Sequence, residues 1–266
     1  MMLSNQVQAG EELQEKEPSQ HTAPDLNQHK TWSWIDLLII VLGILLILFL
    51  GAILFVVLMV AMGQKPENLV NPTISQTLGL TVLESVALVL GVYLFGLRRK
   101  GLDWSSVGFR HTSWLWIGIS ISATLIIIPI VGIITIVFFF LTGQPIENPQ
   151  LDFLLPEGLS TTNAVLMLLM AGFVAPLAEE LFFRGVLYTF LRERWGIWIS
   201  VFTSSFLFGL IHGDIAVGIT GFLLGVVAAL VFEFSKSLWT AVIVHVINNS
   251  LKIALLYVLV YLGLQR

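Results

Sequence analysis

The sequence predicts an all-α polytopic membrane helix bundle of about seven to eight spans. Three observations predict it. Hydrophobic residues make up 56% of the chain and charged residues 11%, less than half the roughly 25% charge of a soluble domain. From Trp32 onward, long apolar runs alternate with short polar breaks. The runs have the ~20-residue length of spanning helices and no strand alternation, and only helices or closed barrels satisfy the backbone in lipid.

Residues 1–31 are rich in Gln, Glu, Pro and Asn and lack hydrophobic periodicity, which predicts a disordered cytoplasmic tail. Their polarity predicts no cleaved signal sequence. Residues 32–266 form the predicted transmembrane domain, with apolar runs at 33–62, 75–97, 114–142, 163–190, 197–212, 215–234 and 238–262. The third run is long enough to tilt or to break at Pro129. The fifth is short. In the sixth, Gly221 and Gly225 make a small-xxx-small pair suited to close helix packing, with Gly218 one turn earlier.

Basic residues set the orientation. Arg98, Arg99, Lys100, Arg110, Arg192, Arg194, Lys236 and the tail's Lys16 and Lys30 fall on one side of a seven-span layout. Lys65 and Arg266 fall on the other, whose 143–162 loop carries Glu147, Asp152 and Glu157 and no base. This bias predicts a cytoplasmic N-terminus and an outside C-terminus. The chain has no Cys, which excludes disulfides, thiolate metal sites and a cysteine nucleophile. No stripe of Lys and Arg points to nucleic acid.

Charged groups are costly in lipid, so Glu84, Glu179, Glu180, Arg184 and Lys252 are functional candidates, as are His212 and His245. In PLAEELFFRG, Glu180 and Arg184 are four apart and can pair along one helix, leaving Glu179 about 100° around without a partner. Pro176 has no N–H, frees the Gly172 carbonyl and predicts a bend that opens a polar cavity. Phe208 and His212 share a face in FLFGLIHG. His245, Asn249 and Lys252 fall at i, i+4 and i+7, one polar stripe on an apolar helix.

Two chemistries suit this set. In one, Glu179 is a general base that deprotonates water with help from His212, while His245 and Asn249 stabilise an oxyanion. In the other, Glu179, His212 and His245 hold a zinc ion that activates the water. Both lead to amide hydrolysis. The zinc motif HExxH is absent, as are a Gly-x-Ser-x-Gly elbow and a second intramembrane Asp to pair with Asp214. Counted along straight helices, Glu179 and His245 lie roughly 10–18 Å and His212 about 22 Å from their basic ends.

The motifs EExxxR (Glu179 to Arg184), FxxxH (Phe208 to His212) and HxxxN (His245 to Asn249), in that order, resemble the CAAX-protease and bacteriocin-processing (CPBP, or Abi) family of intramembrane proteases. The resemblance covers about residues 160–255. It implies a helical membrane endopeptidase of membrane-anchored or lipidated proteins and peptides, in the plasma membrane of a bacterium. By match, Glu179 is the catalytic glutamate, His212 its partner, and His245 with Asn249 the oxyanion donors. Glu180, Arg184 and Phe208 are supporting residues. The family implies a glutamate-dependent mechanism without a metal, with zinc on Glu179, His212 and His245 as the other possibility. Known members have eight spans, so an eighth element would be hidden in 98–162 or be interfacial.

Two other functions fit the composition. A transporter would use Glu84, Glu179 and Lys252 as an ion or proton relay, though the sequence has no inverted repeat to favour it. A non-catalytic bacteriocin-immunity or scaffold protein would bind a partner within the membrane. Glu84 and Lys252 could pair with each other, or Lys252 could extend the stripe of Asn249 into the site.

Overall fold

Ser33 and Asp36 start the first helix by reciprocal capping: the Asp36 amide donates to Ser33 Oγ at 3.1 Å, and the Ser33 amide to Asp36 Oδ2 at 2.8 Å. Thr73 and Gln76 cap the second in the same way. The computed structural model describes residues 31–64, 73–143 and 160–263. The predicted tail at 1–30 and the residues Lys65, Glu147, Asp152, Glu157 and Arg266 lie outside them.

The helices are α1 (Trp34–Ala61), α2 (Ile74–Gly91), α3 (Trp114–Thr142), α4 (Thr161–Leu169), α5 (Ala175–Glu180), α6 (Thr189–Leu210), α7 (Ile215–Ser235) and α8 (Leu238–Tyr261). Wider π-turns continue α2 at Val92–Arg98 and join α4 to α5 and α5 to α6 at Met170–Val174 and Leu181–Tyr188. No strand occurs among the described residues. The helix α3 runs unbroken through Pro129. The described part of 98–162 adds one short 3-10 turn, Trp104–Val107, and no further span.

Among the described residues, six helical stretches are long and apolar enough to cross a membrane. The fourth, Thr161–Leu210, has 50 residues. At 1.5 Å per residue it would be about 75 Å long, against a hydrocarbon core of about 30 Å. It does not run straight: Gly196 has φ 78° and ψ −178°, outside any helix. Such backbone is open essentially to glycine alone.

Hydrogen bonds gather the basic breaks at one end of the bundle. Lys100 donates to the Thr31 carbonyl at 2.8 Å and pairs with Asp36, which Arg99 also reaches. The Thr31 amide donates to Glu193 at 2.9 Å, and Arg194 donates to the Trp32 carbonyl. Arg192 and Lys236 pair with Glu233, and Ser237 Oγ donates to the Arg110 carbonyl at 2.7 Å. So α1, α3 and α8 start at this end, and α2 and α7 finish there. The chain leaves α3 at the far end and enters α7 at the far end. Two crossings must lie between, divided at Gly196. Among the described residues the chain therefore passes from end to end of the bundle seven times, one more than its six span-length helical stretches, because the fourth divides at Gly196.

The predicted small-residue face packs as expected. A Cβ on Gly221 would lie 3.2 Å from the Gly209 Cα, and one on Gly225 would lie 3.0 Å from Ser205 Cβ. Outward faces of α1 and α3 are apolar and exposed, Phe140 by 83%. Apolar area on this scale is covered by lipid in an integral membrane protein.

Candidate active site

The segment APLAEE is held as α5 between two π-segments. Pro176 cannot donate to the turn before it, and the chain answers with the π-turns of Met170–Val174 rather than with a simple bend. Such turns shift the helix face and concentrate at functional sites.

The predicted ion pair forms. Arg184 Nη1 lies 2.8 Å from Glu180 Oε1, and both side chains are buried, 0% and 1% exposed. Arg184 Nη2 donates to the Gly225 carbonyl of α7 at 3.0 Å, and the guanidinium lies over the Phe208 ring, 4.8 Å from its centroid. The same Glu180 oxygen faces His245 Nδ1 at 2.9 Å. A carboxylate accepts, so His245 donates from Nδ1. Glu180 thus fixes the His245 ring as well as neutralising Arg184, a link that the spacing of two distant motifs could not reveal.

Glu179 points elsewhere. Its Oε2 is buried, makes no hydrogen bond among the described residues and lies 3.8 Å from His245 Nε2. Phe208 stands edge-on between the two histidines, with ring centroids 5.2 Å from His212 and 5.4 Å from His245. His212 Nδ1 is 2.8 Å from the Phe208 carbonyl. That oxygen can only accept, so Nδ1 carries the proton and Nε2 keeps its lone pair. Asn249 donates one amide hydrogen to the Ala171 carbonyl at 3.1 Å and accepts from Asn248 at 3.0 Å.

A cavity of about 330 Å³ is lined by Glu179, Phe208, His212, His245 and Asn249. All four predicted catalytic residues meet there. Glu180 and Arg184 lie behind it. The helical rod continues past 190 to Trp195, so Glu179 lies about 24 Å along it from that end. The second half of α6 is short and ends about 21 Å along, which brings His212 to a similar depth. The continuation over 191–195 removes the discrepancy between these two residues.

Glu84 and Lys252 line the same cavity, together with Asn248, Thr77 and Thr81. Lys252 does extend the stripe of Asn249. It makes no ion pair with Glu84 among the described residues. Thr77, Thr81 and Asn248 escaped the sequence reading because single polar residues in apolar helices usually bond their own backbone. The i, i+4, i+7 spacing of Thr77, Thr81 and Glu84 was the available signal.

His245 Nδ1 donates to Glu180 and leaves Nε2 free, the usual arrangement of a metal-bound histidine. The described residues hold no group of three His, Asp or Glu side chains placed together as metal ligands.

Residues 161–251 match the family model described as type II CAAX prenyl endopeptidase Rce1-like. The segment holds all three motifs. Over 114 residues, the chain is 26% identical to YdiL of Bacillus subtilis (strain 168), a protein named as a proposed membrane peptidase. That alignment covers 42% of this chain and 44% of the relative. No solved structure matches.

Proposed function

We propose, on the premise that residues 161–251 are an Rce1-like segment of the CPBP family, that this protein is an intramembrane endopeptidase. Its substrates are membrane-associated or lipidated proteins and peptides. Glu179 is the general base. The contrast between two neighbouring carboxylates supports the reading: each keeps a buried Oε2 without a partner, but Glu180 Oε1 is bound by Arg184 and His245 away from the cavity, while Glu179 lines the cavity and makes no hydrogen bond among the described residues. A buried carboxylate left unsatisfied is costly unless the site uses it.

In this mechanism Glu179 takes a proton from a water in the cavity, and the water oxygen attacks the scissile carbonyl. His212 Nε2 accepts a hydrogen bond from the same water and orients it. The free amide hydrogen of Asn249, and His245 Nε2–H when that nitrogen carries a proton, are the donors for the oxyanion. Protonated Glu179 returns its proton to the leaving amine, and the peptide bond breaks. The metal-dependent alternative uses Glu179, His212 and His245 as ligands.

The test is cleavage of a pool of membrane-anchored peptides by purified wild type and Glu179→Ala, each with and without a strong chelator. Cleavage by wild type in both conditions and by the variant in neither is expected. Loss on chelation, restored by zinc, would replace the metal-free mechanism. Cleavage by Glu179→Ala would remove Glu179 as the base. A relay for ions remains the second reading, because Glu84, Glu179 and Lys252 share the cavity. Ion flux in proteoliposomes without cleavage would favour it.

A further inference from the structure

The cavity has a wall that the family-matched segment does not supply. Thr77, Thr81 and Glu84 come from α2, which ends before residue 161, and all three face the cavity. Their spacing puts them on one helix face. Thr81 donates its hydroxyl to the Thr77 carbonyl at 2.9 Å, which leaves its oxygen free to accept. Thr77 is 1% exposed, and its buried hydroxyl has no hydrogen-bond partner among the described residues. A buried hydroxyl at a cavity wall with nothing to bond is a group waiting for a ligand. The Glu84 carboxylate likewise makes no hydrogen bond or ion pair among the described residues, and it lines the cavity with Glu179. Lys252 lines the same cavity from α8. The α2 side of the cavity is therefore acidic and rich in acceptors.

Two carboxylates repel each other in a low-dielectric cavity, and a cation seated between them offsets that repulsion. A peptide substrate brings cations of one kind, the ammonium of Lys or the guanidinium of Arg, each with several donors for Glu84 and the threonine hydroxyls. We propose that Glu84, with Thr77 and Thr81, forms a specificity subsite for a basic side chain of the substrate. The subsite rests on the endopeptidase reading. Because Glu84 and Glu179 share one cavity of about 330 Å³, the basic residue lies within one or two positions of the scissile bond.

The test compares two peptides that differ only in Lys or norleucine beside the scissile bond. In wild type the Lys peptide should have roughly tenfold higher kcat/KM, the gain expected of one charge-assisted contact. In Glu84→Gln the ratio should fall to about one, and Glu84→Lys should prefer a Glu peptide. Thr77→Val, nearly isosteric, should lower the ratio in part, and it serves if Glu84→Gln does not fold. An equal ratio in wild type and Glu84→Gln would overturn the subsite and leave the protease reading standing. Binding of the same peptides to Glu179→Gln, read by fluorescence anisotropy, separates the two ideas. A Lys preference in binding that Glu84→Gln removes, without cleavage by wild type, would keep the subsite and remove the protease.

Discussion

Glu179 and Glu180 differ by one position and about 100° of helix, and in the proposed mechanism that rotation divides base from scaffold. Glu179→Gln keeps the shape and removes the proton acceptor. Its kcat should fall by about 10²- to 10⁴-fold with an unchanged melting temperature. Turnover and thermal unfolding in detergent check both. Glu180→Gln should lower stability, and kcat as well through the His245 ring that Glu180 holds. It leaves the buried Arg184 uncompensated, and breaking one side of a buried pair costs about 3–5 kcal/mol. Adding Arg184→Met should recover part of that loss, measured by a double-mutant cycle in unfolding. Most of this was legible in PLAEELFFRG, because i, i+4 geometry is local. The Glu180–His245 bond joins residues 65 positions apart and needs the fold to bring α5 and α8 together.

At the scale of elements, the bundle depends on places where backbones touch. A Cβ on Gly209 would sit 2.5 Å from the Gly218 carbonyl oxygen, so Gly209→Ala must separate α6 from α7 and carry His212 with it. We expect loss of both stability and cleavage. Gly118→Ala, with nothing within 4 Å, should be neutral. Paired unfolding and activity measurements distinguish the two. Gly196→Ala acts differently, through backbone strain in a region reserved for glycine, and should cost about 1–3 kcal/mol. The helix ends were legible to within a few residues because long apolar runs fix them. The Gly221–Gly225 pattern announced a packing face, and Ser205 and Gly209 repeat the small-xxx-small spacing on the partner side, but the spacing alone does not say that the two faces meet. The π-segments were not legible: the sequence signals Pro176 and a lost hydrogen bond, and either a kink or a wider turn accommodates that.

For the whole molecule, parity is the strongest constraint. Basic breaks from four parts of the chain share one end, so an odd number of crossings separates Thr31 from Tyr261. Counting helices by length gives six, and only the Gly196 break makes the count agree with where the ends lie. The charge bias predicts that the basic end of the bundle faces the cytoplasm. The chain has no cysteine, so single cysteines report on this cleanly. Lys236→Cys lies at the basic end, and Met62→Cys lies at the other, where Met62 is 70% exposed. A membrane-impermeant maleimide on intact cells should label position 62, and should label position 236 only after lysis. The reverse pattern would invert the orientation and keep seven crossings. Labelling of both from one side would break the parity and put Gly196 inside a single span. It would also separate the two halves of the site, because His212 reaches the depth of Glu179 only if the chain turns back at Gly196.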